Sequence, residues 1–408
     1  MIDAVTADSL DSSEHVARLP RDLDPADRPQ TSQVASARYV GEIDGLRCFA
    51  MTGVVLGHCS LMPFGWMGVW LFFVISGFVV TKSLLDRERT NERPSITFRN
   101  FMMRRVLRIW PIYFAYILLG IAAALVIGEA VDWQAVAFMS TFTYNFFLIE
   151  HGRMFGSWPV GHLWTISVEE QFYLLFGFIF AYLRHDLLAR LLRIMAAIGI
   201  PLRFAASAYY HMHFTVEHDA GYAIYANSLC QFDAFSIGSL IAINAKVIAD
   251  RRQQVLALFA AAVAAIIAYS LVYVGINKYV LGYHGIEALR HVFVGAPVGY
   301  FREVFVYAVI DIAAASVICL ILIRNRTMLL ITGSAIVRRI GRISYGAYVY
   351  HLAVLTLVDW LLAFVFSNHD TIPYHLVQFL FLYTLTIIIA ELSFRYFETP
   401  LSQFRRLF

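Results

Sequence analysis

Long apolar segments recur along almost the whole chain, and they constrain its fold more than any other feature of the sequence. At 1.5 Å of rise per helical residue, a run of about 20 residues crosses the roughly 30 Å hydrocarbon core of a bilayer. The chain therefore predicts an all-α polytopic membrane protein with about ten transmembrane helices. The ten runs lie at about 44–62, 67–86, 106–128, 161–184, 190–207, 222–245, 254–275, 302–323, 343–366 and 374–397.

The composition agrees with a membrane protein. Of the 408 residues, 59% are hydrophobic and 15% are charged, whereas ordinary soluble domains are about 45–50% apolar and about 25% charged. The formal net charge of +3 is too small to indicate a nucleic-acid partner. The four cysteines have no spacing typical of a zinc site, so we expect free thiols and no metal.

The chain divides into three parts. Residues 1–40 are polar and lack the apolar core of a signal peptide, so they predict a disordered cytoplasmic tail. Residues 41–400 form the predicted membrane domain, and residues 401–408 form a short cytoplasmic C-terminal tail. The segment 133–149 is apolar but short and interrupted by polar residues, which favours a re-entrant or interfacial helix over an eleventh crossing.

The distribution of basic residues predicts the orientation. With a cytoplasmic N-terminus and ten crossings, 25 of the 32 Lys and Arg residues fall in cytoplasmic segments and five, including Arg153, fall outside. Cytoplasmic loops of membrane proteins are enriched in Lys and Arg, and an extra crossing at 133–149 would invert every later loop and destroy this bias. We therefore predict a multi-pass protein of the inner (plasma) membrane, surrounded by lipid, with both termini in the cytoplasm.

The first apolar segment contains ionisable residues that are costly in hydrocarbon and are usually retained there for function. Arg47 and His58 are eleven residues apart, which places them on one helix face with an axial separation of about 16 Å. Asp44 precedes Arg47 by three residues and could pair with it near the inner interface. An interfacial ion pair and a hydrogen-bonded buried histidine are the alternative structural interpretation.

Three further segments carry polar residues where lipid or protein interior is expected. Arg105 and Arg108 lie at the inner mouth of the third segment, where they suit either phosphate binding or membrane anchoring. Paired carboxylates and other polar groups occupy the fourth and ninth segments, and a hydrogen-bonded bundle interior would account for some of them. These residues are His162, Ser167, Glu169, Glu170, Ser344, Tyr348 and His351.

Five motifs together resemble those of acyltransferase family 3, the integral-membrane enzymes that O-acylate glycans and related acceptors. In this sequence, IDGLR followed by GHCS resembles the family's opening signature. The family's further elements are matched by MGVWLFFVISGF, RRVLRIWP, HLWTISVEEQFYL and SYGAYVYH with a later ETP. The resemblance covers residues of about 41–400. Many members carry an additional extracytoplasmic hydrolase-like domain, so we expect this membrane domain to complete transfer itself or with a separate partner.

The resemblance implies a reaction and assigns residues to it. Acyl-CoA, with acetyl as the expected acyl group, would be the donor, and a carbohydrate or glycolipid hydroxyl would be the acceptor. Arg47, Arg105 and Arg108 would bind the phosphates of coenzyme A, and His58 would act as general base. Glu169 or Glu170 would orient His58 or stabilise its imidazolium.

The remaining polar residues complete the predicted site, and two other function classes stay open. We assign His162, Ser167, Tyr348 and His351 to acceptor binding. A proton-coupled secondary transporter could use the same His, Glu and Arg residues as a relay, although no inverted repeat is evident. A non-enzymatic sensor or scaffold would leave His58 without a purpose.

Overall fold

A computed structural model describes residues 41–88, 92–151, 158–293, 295 and 297–404. The predicted N-terminal tail, Arg153 and the last four residues lie outside the described residues. Within the described part every regular element is a helix. The described residues between 41 and 404 form one compact unit.

The helices follow the apolar segments closely. The bounds are α1 Gly41–His58, α2 Met67–Leu85, α3 Pro94–Ile127, α4 Trp133–Ser140, α5 Tyr144–His151, α6 Trp164–Tyr182, α7 His185–Ala197, α8 Gly199–His213, α9 Glu217–Ala226, α10 Phe232–Ile243, α11 Ala245–Ala249, α12 Arg252–Tyr279, α13 Ile286–Arg290, α14 Arg302–Leu322, α15 Arg326–Thr332, α16 Ala335–Arg342, α17 Ser344–Leu362, α18 Ile372–Ser393 and α19 Thr399–Ser402. A π-helical turn at Phe394–Glu398 joins α18 to α19.

Six described helices are long and apolar enough to cross a membrane, fewer than the ten predicted crossings. They are α2, α3, α12, α14, α17 and the continuous helix from α18 to α19. Of the remaining predicted crossings, α1 and α6 have 18 and 19 residues but carry acidic and basic residues that lower their hydropathy. The count of ten is therefore not established by helix length and hydropathy.

Two predicted crossings are interrupted. The segment 190–207 is divided between α7 and α8 at Ile198, and the segment 222–245 is divided by a short turn, Ser228–Cys230. Pro201 lies in the first turn of α8, where its missing N–H removes no hydrogen bond. Hydropathy averaged over a segment cannot detect such breaks, because the residues on both sides of the break are equally apolar.

The segment 133–149 forms two short helices instead of one. α4 and α5 have eight residues each, about 12 Å, and neither is long enough to cross a bilayer. Between them Phe142 has a positive φ of 54°, which reverses the chain.

The interior and periphery of the unit differ in the fraction of apolar surface that they bury. In α14, 67% of an apolar stretch of 18 residues is buried inside the protein, whereas in α12 only 17% of such a stretch is buried. An apolar face as exposed as that of α12 is unfavourable in water. This difference is typical of a bundle with α14 inside and α12 against lipid.

Backbone contacts between α2 and α10 hold the interior together. A Cβ atom added at Gly77 would collide with the backbone oxygen of Phe235, and one added at Gly238 would collide with that of Val74. Small residues allow such close approach of helices in a membrane, where packing rather than hydrophobic exclusion drives association. Both positions therefore require glycine.

Candidate active site

Three arginines from two helices surround one carboxylate. Arg47 lies on α1, and Arg105 and Arg108 lie one turn apart on α3. All three guanidinium groups are close enough to Glu169 of α6 to interact with its charge. We call Arg47, Arg105 and Arg108 the arginine cluster.

The two adjacent carboxylates of α6 are held by different partners. The Ser76 hydroxyl donates to Glu169 Oε1 at 2.6 Å, and the Trp110 indole N–H donates to Glu170 Oε2 at 2.9 Å. The second oxygen of Glu170 is buried and has no hydrogen-bond partner among the described residues. Glu170 therefore retains hydrogen-bonding capacity beside the arginine cluster.

The Arg105 guanidinium is buried between aromatic rings. Its Cζ lies 5.7 Å from the centroid of Phe101 and 5.5 Å from that of Tyr173. The Nε atoms of Arg47 and Arg105 have no hydrogen-bond partner in the described part of the chain. Since three guanidinium groups face two carboxylates, the formal charge of this group is positive and favours an anionic ligand.

A cavity of about 40 Å³ adjoins Arg47 and Glu169, and we call it the Arg47 cavity. A buried water needs roughly 10–15 Å³ of such space, so the cavity has room for about three waters. Its wall includes the Ser344 hydroxyl, which is buried without a hydrogen-bond partner among the described residues. The lining residues are Arg47, Val69, Phe72, Phe73, Thr165, Ile166, Glu169, Ser344, Tyr345 and Tyr348.

Three histidine rings lie in a row beyond this cavity. The ring centroids of His58 and His351 are 5.1 Å apart, and those of His351 and His162 are 5.0 Å apart. His58 is exposed at the end of α1, whereas the other two are buried. We call His58, His351 and His162 the histidine row.

Hydrogen bonds to backbone carbonyls fix the tautomers of the two buried histidines. His162 Nε2 lies 2.9 Å from the Val349 oxygen, and His351 Nδ1 contacts the Tyr348 oxygen. A carbonyl only accepts, so each contacting nitrogen carries the proton in the neutral ring. The other ring nitrogens, His162 Nδ1 and His351 Nε2, have no partner among the described residues and are free to accept.

Tyr348 connects the Arg47 cavity to the histidine row. It lines the cavity, and its ring centroid lies 5.3 Å from that of His351. The Thr165 hydroxyl donates to the Tyr348 hydroxyl oxygen at 2.9 Å. Arg47 and Tyr348 thus line the same cavity, and ring contacts lead from Tyr348 through His351 to His58.

The structure groups most of the predicted site residues, but not in the predicted pairs. Glu169 and Glu170 accept hydrogen bonds from Ser76 and Trp110 and lie within electrostatic range of the arginine cluster, whereas none of their described interactions is with His58. In the described structure the ring beside His58 is that of His351.

Asp44 and Ser167 also differ from expectation. The Asp44 carboxylate lies 3.4 Å from Arg342 Nε of α16, an interhelical ion pair that the sequence analysis did not predict. Ser167 is fully buried, donates to its own helix at Leu163 and does not line the Arg47 cavity.

Two residues of the cavity with side-chain hydroxyl groups, Thr165 and Tyr345, were missed by the sequence analysis. Thr165 precedes Glu169 by four residues on α6, and this spacing on one helix face could have identified it. Tyr345 lines the cavity and donates to the Ile109 oxygen at 2.8 Å, a contact between distant segments that no local pattern predicts.

The arrangement suits transfer of an acyl group. In the described residues, no group of three or more His, Cys, Asp or Glu side chains is placed to hold a metal ion. Guanidinium groups bind phosphate oxygens, and a neutral imidazole accepts a proton from a hydroxyl. Arg47 lies on one side of this arrangement and His58 on the other, with the Arg47 cavity, Tyr348 and His351 between them.

Comparison with curated proteins finds O-acetyltransferases. The chain is 23% identical over 390 residues to the O-acetyltransferase OatA of Staphylococcus aureus strain NCTC 8325 / PS 47, covering 93% of this chain and 60% of that protein. It is 25% identical over 394 residues to the peptidoglycan O-acetyltransferase OatA of Listeria monocytogenes, covering 90% of this chain and 56% of that protein. The chain thus spans little more than half the length of these relatives.

The family comparison covers most of the chain, whereas no solved structure matches it. Residues 40–393 match the acyltransferase-domain family Acyl_transf_3. The matched residues include the arginine cluster, both carboxylates and the histidine row. The match confirms the resemblance carried by the five sequence motifs. The chain belongs to acyltransferase family 3.

Proposed function

We propose that the protein is a membrane O-acetyltransferase that moves an acetyl group from cytoplasmic acetyl-CoA to a carbohydrate or glycolipid hydroxyl. One observation carries this proposal: the Arg47 cavity is lined by Arg47 of the arginine cluster and by Tyr348, whose ring packs beside the histidine row. The names of the OatA relatives support acetyl as the group and peptidoglycan as the class of acceptor.

The donor binds from the cytoplasmic side in this proposal. The protein makes ten crossings with both termini inside, as the distribution of Lys and Arg residues indicates. Arg47, Arg105 and Arg108 hold the phosphates of coenzyme A, and its pantetheine arm follows α1. The rise of about 16 Å between Arg47 and His58 on this continuous helix is the distance that the arm covers.

The transfer step uses His58 as the base. An imidazole nitrogen of His58 accepts the proton of the acceptor hydroxyl, and the oxygen attacks the thioester carbonyl. The carbon–sulfur bond then breaks, and the imidazolium returns the proton to the thiolate, which leaves as free coenzyme A. His351 and Tyr348 pack behind His58 and hold its ring, while Glu169 and Glu170 act on the donor side.

The acceptor approaches from the opposite face, where His58 is exposed. We propose that His162 and His351 contribute to acceptor binding, because they provide polar groups at the His58 end of the site. The transporter alternative is not favoured, because the chain belongs to an acyltransferase family.

The decisive experiment replaces His58 in liposomes that hold acetyl-CoA inside and a muropeptide or oligosaccharide acceptor outside. His58→Gln keeps a polar side chain but removes the base, so turnover falls by roughly 10² to 10⁴-fold while acetyl-CoA binding persists. Acidification also lowers the turnover of the wild-type protein, because a protonated imidazole cannot accept the hydroxyl proton. The control is His369→Gln, which changes an exposed histidine outside the site.

Wild-type turnover in His58→Gln would refute the base assignment. Uptake of a solute without loss of acetyl groups would identify a transporter instead. Cysteines introduced into the 87–100 segment test the orientation, and their labelling by a membrane-impermeant reagent only from outside would contradict it.

A further inference from the structure

A second polar cavity lies where α8 meets the start of α14. It has a volume of about 350 Å³, within the 300–1,000 Å³ range of small-molecule sites, and we call it the Glu303 cavity. Its lining combines three aromatic rings with polar groups and contains no arginine or lysine. The residues are Phe204, Ser207, Ala208, His211, Gly299, Tyr300, Phe301 and Glu303.

Glu303 gives this cavity a buried carboxylate that could bind a ligand. The residue is 2% exposed, and the Ser207 hydroxyl donates to its Oε1 at 2.8 Å. Its Oε2 is buried without a hydrogen-bond partner among the described residues. A buried carboxylate oxygen that accepts no hydrogen bond is costly, so a ligand that donates one would be stabilised there.

The aromatic residues are held in place by an unusual backbone. Gly299, Tyr300 and Phe301 all have positive φ, at 84°, 53° and 61°. Such conformations are unfavourable for residues with side chains and are retained where the surroundings determine them. The Phe301 ring stacks on Phe204 with centroids 5.5 Å apart, and both rings remain half exposed.

The cavity lies at the same end of the bundle as His58. Tyr307 is one turn beyond Glu303 on α14, and its ring stacks on Trp70 of α2 at 4.8 Å. Trp66, in the segment that follows His58, lies 6.1 Å from Tyr307 and donates to the Phe293 oxygen at 2.8 Å. The chain between α1 and α2 thus contacts the chain before α14.

We propose that the Glu303 cavity binds a neutral sugar unit of the acceptor, at a distance from the unit that is acetylated. Aromatic rings pack against the apolar C–H faces of sugar rings, and Glu303 accepts hydrogen bonds from hydroxyl or acetamido N–H groups. The lining has no arginine or lysine and contains the Glu303 carboxylate, which disfavours an anionic ligand. This proposal rests on the proposed function for the identity of the acceptor, but sugar binding is measured independently of transfer.

The test measures binding of chitotriose to the full chain in a detergent without a sugar headgroup. Glu303→Gln keeps size and the Ser207 contact but removes the charge, so chitotriose binding weakens about tenfold. Phe204→Ala weakens it by several-fold through loss of stacking. Tyr279→Leu, which removes an exposed aromatic ring of α12 outside the cavity, leaves binding unchanged.

Each result has a defined meaning. If both cavity variants keep wild-type affinity for chitotriose, the proposal is wrong. Displacement of chitotriose by lipid-linked oligosaccharide supports it, whereas binding of phosphatidylethanolamine vesicles in place of any sugar overturns it. Unaltered sugar binding in a protein that transfers no acetyl group would refute the proposed function and leave this site standing.

Discussion

Two of the clusters of buried charge in the described part of this protein are built differently. In the first, the arginine cluster meets Glu169 and Glu170 beside the Arg47 cavity. In the second, Arg203 of α8 is fully buried and lies 2.7 Å from Asp233 of α10. The same guanidinium donates to the backbone oxygens of Cys230 and Val304 at 2.7 and 3.1 Å.

The two clusters differ in the space beside them, in the hydrogen-bond donors that are left unused and in the sign of their formal charge. Every nitrogen of Arg203 contacts an oxygen, and Gly199 fits against Asp233 so closely that a methyl group would collide with it. Asp311, which also interacts with Arg203, leaves this cluster formally negative. The Arg47 side offers space, free Nε atoms and excess positive charge. Both carboxylate oxygens of Asp311 also lack a hydrogen-bond partner among the described residues. Unused hydrogen-bonding capacity in a membrane domain thus marks a ligand site only where space accompanies it.

The largest effect expected from this contrast is on folding. Arg203→Leu removes the partner of Asp233 and leaves a buried carboxylate unpaired, which costs about 3–5 kcal/mol. We expect a large loss of monodisperse protein and a lower unfolding temperature by fluorescence-detected chromatography. Arg190→Leu, at an exposed position of α7, should change stability by less than about 0.5 kcal/mol. Normal stability of Arg203→Leu would show that this cluster is not structural.

Substitutions in the arginine cluster should affect ligand binding rather than folding. Arg105→Ala or Arg108→Ala should weaken acetyl-CoA binding by about 1.5–3 kcal/mol for each charged hydrogen bond lost, roughly 10- to 150-fold, measured by calorimetry. Arg105→Lys should recover only part of the affinity, because the fork geometry is lost. Arg99→Ala, at an exposed position of α3, is the control. Wild-type donor affinity in a folded Arg105→Ala, Arg108→Ala double variant would leave these residues with an anchoring role.

A smaller effect is expected from Ser76→Ala. Without its hydroxyl donor, Glu169 interacts more strongly with the guanidinium groups and competes with the donor's phosphates. Acetyl-CoA binding should weaken by about 1 kcal/mol, or roughly fivefold. Ser236→Ala removes an equally buried hydroxyl that bonds only to its own helix and should not alter binding. Equal effects of the two substitutions would indicate a packing change rather than an effect at the site.

Much of the helical fold and the membership of the site could be predicted from the sequence, because both depend on local composition. Apolar segments locate helices, and Arg47, Glu169 and His351 stand out as polar residues within them. The breaks at Ile198 and at Ser228–Cys230 were missed, although the Gly199-Ile200-Pro201 sequence was a signal for the first.

Pairings between distant segments could not be predicted. The Asp44–Arg342 ion pair and the Trp110–Glu170 hydrogen bond depend on which helices pack together. A single sequence carries the periodicity of each helix but not the rotation of one helix against another. For this reason the carboxylates of α6 were assigned to His58, whereas the described contacts join them to the arginines.

The backbone contact between α2 and α10 has a mechanical consequence. Gly77 and Gly238 meet the opposite backbones so closely that neither helix can slide along the other, and the pair must move as one rigid body. One wall of the Arg47 cavity belongs to α2, and another, with Ser344 and Tyr348, belongs to α17, which packs on α18. In the proposed function a pantetheine arm needs more room than three waters. We therefore expect α17 and α18 to swing away from the α2–α10 body, and the frequency of that opening to set an upper limit on turnover.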